Sequence, residues 1–112
     1  MADYTRFTKV AADELKGLMG AVKVSKGADY TLASAEKVGV IALEATAASK
    51  TFTLDLPDGT AAFVANVGAS NAFTLKNVSG DSGTSIATGK LYLVIASQTA
   101  NASKLILCND GT

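Results

Sequence analysis

From Tyr30 onward the chain runs in short apolar stretches broken by Gly, Ser, Asn, Asp or Pro. Breaks every 8–12 positions between β-branched and aromatic runs predict a sandwich or barrel of short strands. The clearest stretch is KTFTLDL (50–56). There Phe52, Leu54 and Leu56 alternate with Thr51, Thr53 and Asp55, the period of a strand with one buried face. Further strands are predicted at YTLA (30–33), AAFVANV (61–67), AFTLKNV (72–78), LYLVIAS (91–97) and KLILC (104–108). Residues 61–67 and 72–78, joined by GASN, read as a hairpin. LYLVIAS is apolar on both faces and reads as a central, fully covered strand. VGVIALEA (38–45) suits either structure: its alanines and Glu44 allow a helix, while Val38, Val40 and Ile41 with Gly39 favour a strand. The expectation is an all-β body (29–112), an antiparallel β-sandwich or jelly-roll-like barrel of about seven or eight short strands.

Residues 1–28 have a different rhythm. Ala11, Leu15, Leu18, Met19 and Val22 fall on one stripe of a 3.6-residue period, which predicts a short amphipathic helix in an N-terminal arm. Gly17 weakens that helix and Gly20 stops it. A helix this short is marginal alone and must dock, on its own body, a sister subunit or another protein.

Composition narrows the function. With 112 residues the chain is one domain with one modest core. Many of its hydrophobic residues are alanine, so the core is thin, and thin cores are often completed by oligomerisation. The formal net charge is zero, which does not favour a nucleic-acid partner. A single cysteine, Cys108, cannot form an internal disulfide. No apolar stretch nears the roughly 20 residues of a membrane span. The N-terminus lacks a signal-peptide pattern, so the chain is expected to be made and folded in a cytoplasm.

Two short motifs suggest catalysis and fail on chemistry. Gly80-Asp81-Ser82-Gly83 matches the letters around the nucleophile of trypsin-like serine proteases. That serine needs a histidine base, and the chain has no histidine. Lys76 and Lys90 lie nearby, but the spacing selects neither. A polar turn explains the four residues. Gly83–Lys90 looks like a phosphate-binding loop, yet it has five residues between its glycines instead of four and leads into KLYLVIAS, a strand pattern, instead of a helix. The chain is read as a non-enzyme, without catalytic residues or cofactor.

Binding candidates are few. Asp55 and Asp58 flank a turn and could hold calcium, though Asp58 more simply makes the turn. With no His or Cys cluster, no metal site is expected. Phe52, Phe63 and Phe73 read as core. Tyr4, Arg6, Phe7 and Lys9 precede the helix and form a candidate partner-facing anchor, together with Leu15, Leu18 and Met19 of the stripe. The polar loops 79–89 and 98–103 leave open a carbohydrate-binding sandwich.

The order of these pieces resembles small β-rich modules of tailed-phage virions, found in capsid decoration proteins and in head or tail fibres. The matching stretches are Tyr30–Leu32, Ala45–Ser49, Thr51–Leu56, Phe63–Leu75 and Gly83–Ile95. Asp55-Leu56 before Pro57 departs from the pattern by lengthening a strand, and the first 28 residues are not covered. The resemblance implies a structural protein of the virion, a capsid decoration (cement) protein on the outer surface of the phage head. Its partners would be the major capsid protein and itself, as a trimer, with no nucleic acid or membrane involved. A fibre or spike attachment module is the alternative.

Overall fold

A computed structural model describes residues 20–109. The helix predicted over 11–22 lies outside them except at its end, as does the C-terminal tripeptide. Nine strands form the body: β1 (Ala21–Lys26), β2 (Tyr30–Thr31), β3 (Val40–Ala45), β4 (Lys50–Thr53), β5 (Ala61–Asn66), β6 (Phe73–Lys76), β7 (Thr84–Ile86), β8 (Leu91–Ile95) and β9 (Lys104–Leu107). A 3-10 turn at Ser34–Glu36 is the one helical element among the described residues.

The strands make two sheets, ordered β1-β3-β5-β8-β9 and β2-β4-β6-β7. This is nearly all β and compatible with a sandwich, but it is not the antiparallel one expected. β1, β3 and β5 run parallel, and so do β2, β4 and β6. Only β7, β8 and β9 pair antiparallel. The reason lies in the connections. Each of the first five strands hands the chain to the opposite sheet, so the chain returns to its own sheet only after a full coil, running the same way. Parallel pairing requires such a crossover, here made by a strand instead of a helix. The expected 61–67/72–78 hairpin is therefore absent: β5 and β6 lie in different sheets, and β6 pairs with β4 and β7.

Alternation puts the core between the sheets. Ile41, Leu43, Val64 and Val94 of the larger sheet meet Phe52, Leu54, Phe73, Leu75 and Ile86 of the smaller, all buried. Phe52 and Phe73 pack edge to face with centroids 4.9 Å apart, a favoured aromatic geometry. Within 38–45, Val40–Ala45 form a strand, with Ile41, Leu43 and Ala45 pointing inward at a period of two. Phe52, Leu54 and Leu56 share the buried side as expected. Phe63 does not join them. In β5 the inward positions are Ala62, Val64 and Asn66, which turns Phe63 outward. β8 is central, but only its Val94 is buried, so it is not fully covered. β1 lies within the residues assigned to the arm from sequence; paired with β3, it is an edge of the larger sheet.

Buried asparagines hold the coil corners. Asn66 donates its side-chain amide to the carbonyls of Asn71 and Ile86, and its oxygen accepts from the Gly68 amide. Asn77 accepts from the Leu56 amide and donates to the carbonyls of Leu56 and Ser97. Both side chains are thereby satisfied in the interior, as buried polar groups must be. At the first corner Glu36 accepts from the Ala33 amide and the Tyr30 hydroxyl. The hydrogen bond from Tyr30 lowers the Glu36 carboxyl and raises the phenol.

Candidate interaction surface

The outer faces of the two sheets differ in chemistry. On the larger sheet, Ala21, Val40, Phe63, Leu93 and Ile106 stand in one row, each registered with the next across all five strands. Lys23, Ala42, Ala65 and Leu91 form the neighbouring row, and Ala61, Ile95 and Lys104 flank the other side. Val40 is 37% exposed and Ile106 is 53% exposed. Charge is confined to the margins: Lys23 and Glu44 pair at 3.8 Å near the β1 edge, and Lys104 lies on β9. On the smaller sheet, the outward rows are Thr51, Thr74 and Ser85, then Thr31, Thr53 and Lys76. One side of the body is thus largely apolar and the other is lined mainly by hydroxyls. A contiguous apolar patch on a small protein marks a place of association.

The loops at one end are tied into a polar clamp. Asp81, buried in the Gly80–Gly83 turn, accepts from the backbone amides of Asn77, Val78 and Asn101 at 2.9, 3.2 and 2.6 Å. Asn101 answers by accepting from the Ser82 amide at 2.7 Å. Gly83 has φ of +87°, and a Cβ there would stand 2.4 Å from the Thr74 Cγ2. The four residues that resemble a protease motif form a turn whose carboxylate is spent on backbone amides. Residues 83–90, the phosphate-loop look-alike, contain the strand β7 instead of a helix N-terminus. A cavity of about 130 Å³ between loops 79–89 and 98–103 is lined by Lys76, Ser82, Thr84, Asn101 and Ser103 among others. That is below the roughly 300–1,000 Å³ of small-molecule sites; two more open clefts, beside Ser49 and Phe73 and beside Thr53 and Gln98, measure about 440 and 450 Å³.

Burial pushes the Asp81 carboxyl up, but the amides of Asn101, Asn77 and Val78, with Lys76 nearby, outweigh it and hold the group below its ordinary 3.8. A depressed carboxyl adds stability above its unfolded value and loses it on acidification. The melting temperature should therefore fall as pH drops below about 4, and Asp81→Asn should remove much of that dependence. Melts recorded from about pH 6 to about pH 2 on both proteins check this; parallel curves would count against it. Gly83→Ala combines a left-handed backbone with a steric clash and should cost about 2 kcal/mol, read from the urea midpoint.

Asp55 and Asp58, the calcium candidates, each serve Gln98. The Asp55 carboxylate accepts from the Gln98 side-chain amide and from Lys37 Nζ, both at 3.3 Å, and these bonds hold it below its ordinary range. Asp58 accepts from the Gln98 backbone amide. Among the described residues no group of three or more His, Cys, Asp or Glu side chains could hold a metal ion. Nor is any helix among them long and apolar enough to cross a membrane. Tyr4, Arg6, Phe7, Lys9, Leu15, Leu18 and Met19 all lie outside the described residues.

None of the family models, curated proteins or solved structures compared with the chain matches it. The apolar sheet face is the feature that sequence reasoning missed. Its signal was the pairing of small Ala62 and polar Asn66 inside with Phe63 outside, the reverse of what residue size suggests.

Proposed function

We propose that this chain is a structural virion protein, a capsid decoration protein that binds and stabilises the assembled head of a tailed phage. The observation that carries the proposal is the unequal pair of outer faces. A small body with one apolar side and one hydroxyl-lined side has a side for a partner and a side for water. In this reading the larger sheet turns toward the major capsid protein and the smaller sheet faces solvent. Loops tied by Asp81, Asn77 and Asn101 keep the body rigid, so little ordering entropy opposes binding. Binding the assembled shell and not its free parts stabilises the shell by mass action. Tyr4, Arg6, Phe7 and Lys9 supply the aromatic and cationic anchor. The resemblance of residues 29–108 to virion β-modules supports the same reading, and it implies a trimer at threefold positions of the head.

Purified virions test it. The chain should be present in hundreds of copies per head; a few copies would point to a fibre, and absence would sink the proposal. Replacing Tyr4, Arg6 and Phe7 together by Ala should abolish re-binding to heads stripped of the protein, scored by co-sedimentation.

A further inference from the structure

Past the ends of β2 and β4 the smaller sheet opens into a cleft of about 450 Å³, within the range of small-molecule sites. Thr31, Thr53, Asp55, Val78, Ser79 and Gln98 line it among others. The outward row of the sheet leads there, with Thr53 registered between Thr31 and Lys76. Two planar polar groups are fixed at the rim. Gln98 Nε2 donates to the Leu56 carbonyl at 2.7 Å and to Asp55 Oδ1 at 3.3 Å, and the Gln98 backbone amide donates to Asp58. Lys37 Nζ donates to the second Asp55 oxygen at 3.3 Å. Asp55 has φ of +52°, and left-handed backbone outside glycine gathers where side chains are held for a ligand. Much of the bonding capacity here is unspent. Among the described residues, the hydroxyls of Thr31, Thr53 and Ser79 and the side-chain oxygen of Gln98 have no partner within the chain. Each Asp55 oxygen has accepted one bond and has room for another.

Charge selects the class of ligand. Among the described residues lining the cleft, Asp55 alone is ionised, and Lys37 beside it balances its charge. An anion would meet the carboxylate, and a cation would have to displace Lys37. A neutral polyol does neither. Its hydroxyls donate and accept at once, as a set of fixed acceptors beside free hydroxyls requires. We propose that this cleft binds a neutral saccharide. Neighbouring sugar hydroxyls donate to the Asp55 carboxylate and the Gln98 oxygen and accept from the hydroxyls of Thr31, Thr53 and Ser79. Val78 gives the carbon side of the ring an apolar contact. Asp55 and Gln98 are already locked, which lowers the ordering that binding requires. With no aromatic ring among the lining residues, affinity is millimolar, a range in which one hydrogen bond is readable. The cleft belongs to the side that the decoration reading turns toward solvent, so the two sites do not compete. Sugar binding is a property of the free chain and does not depend on a phage head.

Amide spectra of the isotope-labelled full chain test it, titrated with lactose, maltose, methyl mannoside and N-acetylglucosamine. At least one sugar should shift the amides of Thr53, Asp55, Ser79 and Gln98 saturably and leave those of β9 in place. Asp55→Asn suits the same left-handed backbone. It should weaken that sugar about tenfold, the scale of one charge-assisted hydrogen bond. Ser79→Ala removes an exposed hydroxyl and should weaken it about threefold. Thr51→Val, on the same face outside the cleft, should bind like the parent. Should Asp55→Asn disturb the whole spectrum, Ser79→Ala carries the comparison. The proposal is overturned if none of the four sugars shifts these amides saturably. It is overturned equally if calcium chloride or sodium phosphate shifts them more than any sugar, or if the cleft variants bind as tightly as the parent. Particle binding is scored separately, so failure here is distinct from failure of the decoration reading.

Discussion

Replacing Phe52 by Ala should destabilise the body by about 4 kcal/mol, the usual range for an aromatic lost from a packed interior. Phe52 is fully buried and meets Phe73 edge to face at 4.9 Å. It also stands in the middle of β4, the strand that joins β2 and β6 into one sheet. The same truncation at Phe63 should cost less than half as much, because that ring lies on the outer face. Urea midpoints for the two variants, with unchanged slopes, make the comparison. Equal losses would mean that Phe63 belongs to the core after all.

Asn77→Ala should cost about 2–3 kcal/mol. The side chain ties Leu56, at the end of one coil, to Ser97, in the loop after β8. Its removal leaves the buried Leu56 amide without a partner, which costs about 1–3 kcal/mol when water cannot reach it. It also takes one bond from each of the Leu56 and Ser97 carbonyls, which keep Gln98 Nε2 and Ser103 Oγ as donors. Water entering the space vacated by the side chain would reduce the loss toward the lower figure. Asn77→Asp is the sharper variant. It keeps the acceptor for the Leu56 amide but sets a carboxylate against two carbonyl oxygens, so it should be no more stable than the alanine variant at neutral pH and should recover on acidification. Thermal melts at two pH values would read this; a flat response would show that the site is already open to solvent.

Most of the strands were legible in the sequence, β1 and β7 excepted and β3 left open, and their partners were not. Phe52, Leu54 and Leu56 alternate with polar residues, and all three are buried. Alternation reports which side of a strand is covered, but it says nothing about the direction of the neighbour. Short loops such as 67–72 fit a hairpin as well as a step to the opposite sheet. The distinguishing signal was a repeat: Tyr30-Thr31-Leu32, Phe52-Thr53-Leu54 and Phe73-Thr74-Leu75 recur at spacings of 22 and 21 residues, and periods in that range mark coiled architectures. The first two stack in register, Tyr30 on Phe52, while the third slips so that Leu75 opposes Phe52. The apolar outer face was hidden for a related reason. Val40, Phe63, Leu93 and Ile106 are distant in sequence, and only the register lines them up. The buried role of Asp81 was masked by its place in a protease-like motif, where its hydrogen bonds to backbone amides leave no mark in the letters.

The coiled path also gives the body a graduated height. β1, β3 and β5 meet through one parallel ladder, and β2, β4 and β6 through another, while β7, β8 and β9 close the far end. A whole coil of about 21 residues inserted in step would find matching ladders above and below it. It would raise the closing strands by one strand spacing, about 4.8 Å, and leave the surfaces at both ends intact. A lineage that gained or lost coils could therefore set the stand-off between whatever the first strand's edge touches and whatever the last strand presents, as a ruler divided in single strands.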